Sequence, residues 1–301
     1  MAGSKLLYEE DFLYRTILLL DIYKYIDHSK ILDKSYIMGL NNLNLPSPEW
    51  IDKQETYSIN LSEIDSMIVQ YYTVEGSYLV NDYLRQGRQV TQSIIEWFKS
   101  SHNFFKVIFF KYYKKVNRGG KKFTMNEISE LMSDSEEIKK FIEFFITRLN
   151  KIIVSSPKVD KEFIVYRGKL ELSRPDTKRG TVYSTDGFSS TSINMRVGVE
   201  EFAINGDKEF KYLEKIIIPP GSLVLWLNPL SYFTDQVEIV LPDRSQFRIL
   251  EHCDRSTTFK QKVLRKIFHT EGVRPVLADE NSYPIPTPMT VNLCLVEYIP
   301  K

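Results

Sequence analysis

Glu238 heads an apolar run, Val237-Glu238-Ile239-Val240-Leu241, and Gln236 stands two residues before it. A carboxylate among such neighbours loses hydration on folding, which is costly unless a ligand or a reaction uses the charge. The plain alternative is a solvent-facing glutamate on an edge strand. If the run is a strand, Gln236 and Glu238 project from the same face. Upstream, Gly187-Phe188-Ser189-Ser190-Thr191-Ser192 puts small hydroxyl residues into a strand-like stretch. Such side chains leave room for a ligand and can orient a neighbouring carboxylate, although Ser/Thr-rich strands are common without either role. Further upstream, Val165-Tyr166-Arg167-Gly168 brings an arginine to the end of a β-like run. A guanidinium fork suits a phosphate better than an ammonium does. Taken alone, it reads equally well as a strand residue facing water.

Two kinds of chain must position these groups. The first half has helical periodicity: residues 6–25, a helix after Ser62 running to about Tyr72, and helices over 76–85, 93–99, 104–116 and 135–152. Ser62 with Asp65 forms a capping-box pattern, and Glu136 with Lys140 an i,i+4 pair. Residues 41–48, polar and proline-bearing, read as a linker. After Pro157 the texture changes to short apolar runs punctuated by Gly, Pro and Asp. Strands are expected over 163–168, 187–192, 212–218, 222–227, 237–241, 246–251 and 291–299, with a short helix at 196–203. Helices first and strands later imply an α+β fold rather than alternating βαβ units.

The composition narrows the function. The 301 residues carry a net charge of +1, so there is no global drive toward nucleic acid or an acidic membrane. No apolar run is long enough to span a bilayer. Acidic residues near the start argue against a signal peptide, so a cytoplasmic site of action is expected, in the parent cell or a target cell. The four histidines are scattered singly, without metal-ligand spacing, and no metal is expected. The two cysteines, Cys253 and Cys294, read as buried small apolar residues rather than a disulfide framework. One local exception to the charge balance is the basic, aromatic stretch over 107–123. It fits an amphipathic helix with a solvated loop, or a contact with nucleic acid or an acidic membrane surface.

The order Arg167, then Ser190-Thr191-Ser192, then Gln236-Val237-Glu238 resembles the R-S-E class of mono-ADP-ribosyltransferases. The loop Asn228-Pro229-Leu230-Ser231-Tyr232-Phe233-Thr234-Asp235-Gln236-Val237-Glu238 looks like the turn-turn loop of the clostridial Rho-modifying exoenzymes. Ile217-Ile218-Pro219-Pro220-Gly221-Ser222 and Ser245-Gln246-Phe247-Arg248-Ile249 are similar to strands of that family. Ile68-Val69-Gln70-Tyr71-Tyr72-Thr73 and Val80-Asn81-Asp82-Tyr83-Leu84-Arg85 resemble its first helices. The resemblance covers roughly residues 58–301, which gives a transferase domain over 58–301 and an N-terminal helical extension with linker over 1–57.

The resemblance implies two β-sheets packed at a steep angle, flanked by N-terminal helices, with NAD as co-substrate in the cleft between the sheets. It implies transfer of ADP-ribose to a protein acceptor with release of nicotinamide, and NAD glycohydrolase activity on the side. By carry-over, Glu238 is the catalytic carboxylate, Ser190 holds it, and Gln236 positions the acceptor. The Gln236 amide can pair with another amide, which points to an asparagine on a protein, with a small GTPase as one acceptor class. Arg167 and Arg85 would bind the NAD phosphates, alongside Asn81, Gly168, Thr191 and Ser192. Phe210 or Tyr212 would lie against nicotinamide, and Tyr232 or Phe233 would meet the protein substrate. Arg196 is a weaker phosphate candidate. Because Q-x-E also occurs in relatives that modify guanine in nucleic acid or nucleosides, that acceptor is the alternative. A third reading is an inactive NAD-fold module that binds protein.

Overall fold

The computed structural model describes residues 45–100, 127, 130–169, 178–194, 212–231, 236–260 and 288–300. Within them helices come first: α1 Pro48–Ile59, α2 Glu63–Tyr71, α3 Ser77–Arg85, α4 Gln92–Ser100 and α5 Ser135–Ser155. Local chemistry starts them. Ser47 caps α1 by accepting from the Trp50 N–H, with Pro48 in the first turn. Ser62 accepts from Asp65 N–H at 3.3 Å and donates to the Asp65 carboxylate at 2.6 Å, closing the expected capping box. Asp134 caps α5, which buries Ile138, Phe141, Ile142, Phe145, Leu149 and Ile152 along one stripe. Each such side chain contributes about 1.5–3 kcal/mol when fully buried.

The strands are β1 Phe163–Lys169, β2 Val182–Ser184, β3 Ser189–Ser192, β4 Tyr212–Ile218, β5 Leu225–Trp226, β6 Glu238–Leu241, β7 Gln246–Lys260 and β8 Pro288–Ile299. They form one mixed hydrogen-bonded series in the order β2-β7-β8-β4-β1-β3-β6-β5. Only the β4–β8 pair is parallel. The fold is α+β, as the sequence implied. The series divides into two lobes, β2-β7-β8-β4-β1 and β3-β6-β5, joined through a single register pair, Tyr166↔Ser192.

Alternation along β6 shows how the layers stack. Ile239 and Leu241 join Phe163, Val165, Ile216, Phe247 and Val296 in a core between the two lobes. Val240 turns the other way and joins Phe188, Tyr72 and the helices in a second core. The small lobe is thus sandwiched between the large lobe and the helices, which is the packed two-sheet plan.

Three features depart from the sequence reading. Residues 45–59, placed in a linker and extension, pack into the body. Trp50 and Ile51 enter the core between the lobes, and Trp50 Nε1 and Gln54 Nε2 both donate to the Pro157 carbonyl, at 3.0 and 2.9 Å. The division at residue 57 falls inside α1. Second, β2 was not anticipated. Third, Cys294 is disulfide-bonded, not the free apolar residue expected.

Candidate active site

Glu238 opens β6 opposite Ser192, while Ser190 lies opposite Val240. Directly paired residues share a face, so Ser190, Ser192 and Glu238 lie together on the side that meets the helices. Glu238 is 3% exposed. Burial pushes its proton affinity up to about 7, and the Ser190 hydroxyl opposes that shift by favouring the ionised form. This is a carboxylate poised to change charge near neutrality, with a hydroxyl rather than a cation beside it among the described residues.

The remaining hydroxyls of the strand fix backbone. Thr191 donates to the Ile239 carbonyl at 2.7 Å, and Ser192 to the Gln236 carbonyl at 2.7 Å. The roles expected of Thr191 and Ser192 at the co-substrate therefore meet side chains already committed to holding β6 and the turn before it.

That turn corrects one inference. Gln236 does not extend the strand. It sits in a short helical turn, and Val237 has φ 44°, a left-handed conformation that a β-branched residue rarely adopts. The face shared by Gln236 and Glu238 on an ideal strand is thus lost. Val237 is fully buried in the core between the lobes, which keeps the strained turn in place. Gln236 itself is half-buried.

Arg167 behaves differently from Glu238. Tyr166 pairs with Ser192, so Arg167 turns to the opposite face. Its Nε donates to Glu214 Oε2 at 2.8 Å, a second guanidinium N–H contacts the same oxygen, and a third reaches Ser189 Oγ. The guanidinium also lies 4.7 Å over the Phe247 ring. Glu214 is fully buried and takes a further hydrogen bond, 2.6 Å, from the Tyr183 hydroxyl. Burial works most strongly against the charge on Arg167, and Glu214 together with Tyr183 more than offsets it. Gly168 follows Arg167 on β1, half-buried.

Asn81 and Arg85 come from α3. Asn81 is buried, and its Oδ1 accepts from Phe188 N–H at 2.8 Å. Gly187, at φ 108°, must be glycine twice over, since a Cβ there would lie 2.5 Å from Asn81 Oδ1. Asp243 completes the clamp by accepting from Gly187 N–H at 3.1 Å. Asn81 therefore positions the start of β3. Arg85, in the last turn of α3, is exposed, and its charge reaches Tyr72 beside Ser190. Phe210, Tyr232, Phe233, Arg196 and the basic stretch 107–123 lie outside the described residues, as does the side chain of Tyr212.

Sequence reasoning missed Glu214, Ser189 and Tyr72 as parts of this site. Glu214 carried the signal that exposed Glu238, a carboxylate inside an apolar run, Tyr212-Leu213-Glu214-Lys215-Ile216-Ile217-Ile218. Among the described residues no group of acidic, histidine or cysteine side chains could hold a metal, and no helix is long and apolar enough to cross a membrane.

The family model described as ADP-ribosyltransferase exoenzyme matches residues 109–273. That span takes in Arg167, Ser190 and Glu238 but not α2 or α3. No curated protein matches the chain. Among solved structures, it is similar to Plx2a, an ADP-ribosyltransferase toxin from Paenibacillus larvae, at 15% identity over 83% of this chain and 93% of that one, TM-score 0.44. It is similar to Vis toxin, an ADP-ribosyltransferase from Vibrio splendidus, at 15% identity over 86% and 88%, TM-score 0.43. The Clostridium limosum C3 exoenzyme aligns at 14% identity over 83% and 92%, TM-score 0.43.

Proposed function

The chain belongs to the ADP-ribosyltransferase exoenzyme family, and from that premise we propose that it transfers ADP-ribose from NAD to an asparagine side chain of a protein, with a small GTPase as the acceptor class. The observation that carries the reading is Glu238: a buried carboxylate, proton affinity raised to about 7, with a serine hydroxyl beside it. The residues fit NAD. A desolvated carboxylate suits a ribose that gains positive charge, and a solvent-exposed arginine on the same side suits phosphates.

NAD supplies the ADP-ribosyl group, and nicotinamide leaves with the electrons of the glycosidic bond. Glu238, ionised, stabilises the positive charge that this cleavage develops on the ribose, as carboxylates do in glycoside hydrolysis. Low local dielectric strengthens that interaction. Ser190 keeps the carboxylate ionised and aimed. Arg85 faces the phosphates from α3, and Arg167, held still by Glu214, lends its charge to them from β1. Gln236, on a turn anchored by Ser192, meets the acceptor amide. Water in place of the acceptor gives NAD glycohydrolysis as the side reaction. The transferase unit includes α1, with the extension ahead of residue 45, and it acts in a cytoplasm, its own or a target cell's.

The experiment pairs Gln236→Ala with labelled NAD. The variant should hydrolyse NAD at the wild-type rate yet lose transfer to lysate protein. Wild-type label should vanish on protease treatment and survive nuclease. The basic stretch 107–123 supports guanine in nucleic acid as the rival acceptor, and nuclease-sensitive label that falls steeply with salt would select it.

A further inference from the structure

Tyr72 opens a π-helical turn, Tyr72–Gly76, that joins α2 to α3. The π geometry inserts an extra residue into the helix and is common where a side chain must be aimed at a site. Gly76 permits it, because a Cβ there would lie 2.5 Å from the Tyr71 ring. The turn carries Tyr72 fully inside, edge-on to Phe188, with ring centroids 5.8 Å apart. Its hydroxyl lies 3.2 Å from Ser190 Oγ, across 118 positions of sequence. Ser190 is the group that favours ionised Glu238. Behind Tyr72, Asn81 acts on the same phenol and is itself fixed by Phe188 N–H.

Building on the proposed role of Glu238, we propose that Tyr72 is a positioning residue for the transfer reaction: its hydroxyl commits the Ser190 proton to Glu238. A serine hydroxyl is both donor and acceptor and rotates to suit its neighbours. Left alone, Ser190 would divide its proton among several acceptors. The phenol of Tyr72 stays protonated because burial, and next the Glu238 charge, raise its proton affinity, and the hydrogen bonds with Ser190 and Asn81 and the Arg85 charge offset this only in part. It is therefore a standing donor. Donating to Ser190 Oγ, it leaves the serine proton for the carboxylate, and each bond polarises the next. Tyr72 needs no contact with NAD for this.

Tyr72→Phe removes the hydroxyl and keeps the ring against Phe188. We expect kcat for NAD cleavage to fall by about tenfold, the effect of one hydrogen bond, with KM for NAD within about twofold. The acid limb of the kcat–pH profile should move to higher pH, since ionised Glu238 loses support. Ser190→Ala should move it further in the same direction, and in that background Tyr72→Phe should add nothing. Incorporating 3-fluorotyrosine at position 72, a better donor of nearly the same shape, should move the limb the opposite way. An unmoved limb in both position-72 proteins, or additive effects of the Tyr72 and Ser190 changes, would overturn the proposal. Glu238→Gln separates the two levels. If it stays active, the assignment of Glu238 and this proposal fall together; if it is inactive while the limb stays put, only Tyr72 loses its role.

Discussion

Two buried charges lie on opposite faces of the same few strands, and the molecule treats them oppositely. On the large-lobe side, Arg167 is met by Glu214, Ser189 and the Phe247 ring, and Glu214 by Tyr183 as well. On the helix side, Glu238 is as deeply buried but has a serine hydroxyl where a cation could stand. A charge matched by charge is settled, and it ties β1 to β4 and β3. One balanced, among the described residues, by a hydroxyl is held at a cost in stability, and that is the expected condition of a group whose partner arrives with the substrate. The comparison marks Arg167 as a strut and singles out Glu238 as the group proposed to react.

The largest effect expected is on the strut. Arg167→Ala leaves Glu214 buried without its cation and should cost about 3–5 kcal/mol of stability. Chemical denaturation of the variant measures it. A loss under 1 kcal/mol would mean that the pair does not brace β1 against β4, and would return Arg167 to a purely phosphate-binding part.

The next effect runs the other way. The folded chain holds the Glu238 proton up to about 7 against an ordinary 4.5, so it binds more protons than the unfolded chain between those values. Its contribution is therefore full below about pH 4.5 and is lost as pH rises through about 7, a swing of about 3 kcal/mol. Glu238→Gln should remove that swing and make the protein the more stable of the two at pH 8, by up to about 3 kcal/mol. Denaturant melts of both proteins at pH 5 and pH 8 show whether the gap opens as pH rises.

Arg85→Ala gives the smallest change. As an exposed residue it should alter stability by less than about 0.5 kcal/mol, while NAD affinity should fall by roughly tenfold through the lost phosphate contact. Calorimetric titration with NAD reads the second number, and an unchanged affinity would leave the phosphates to Arg167.

How far the sequence disclosed this arrangement depends on the reach of each interaction. β4 was legible to the residue because Tyr212–Ile218 is a long β-branched run. β2 was not, being three half-exposed residues whose only sheet partner is β7, about 60 positions on. α1 was misread although Ser47 and Pro48 form an ordinary helix start, because the polar stretch before them dominated. Glu238 showed itself as a carboxylate in an apolar run, and Glu214 carried the same signal unread. Tyr72 could not, since an aromatic in a helix looks the same whether it packs or points, and its partner lies in another element. The pairing of Gln236 with Glu238 on one face failed at Val237, whose left-handed φ is dictated by the core around it rather than by the local pattern.

The central claim is that Glu238 carries the chemistry, and single-turnover cleavage of NAD by folded Glu238→Gln protein tests it most directly. Loss of a charge placed opposite a developing one in a dry site lowers the rate by about 10²–10³. The account predicts a fall of that size in nicotinamide release, with NAD still bound and the stability at pH 8 raised. Release at the wild-type rate from a folded Glu238→Gln protein would contradict it.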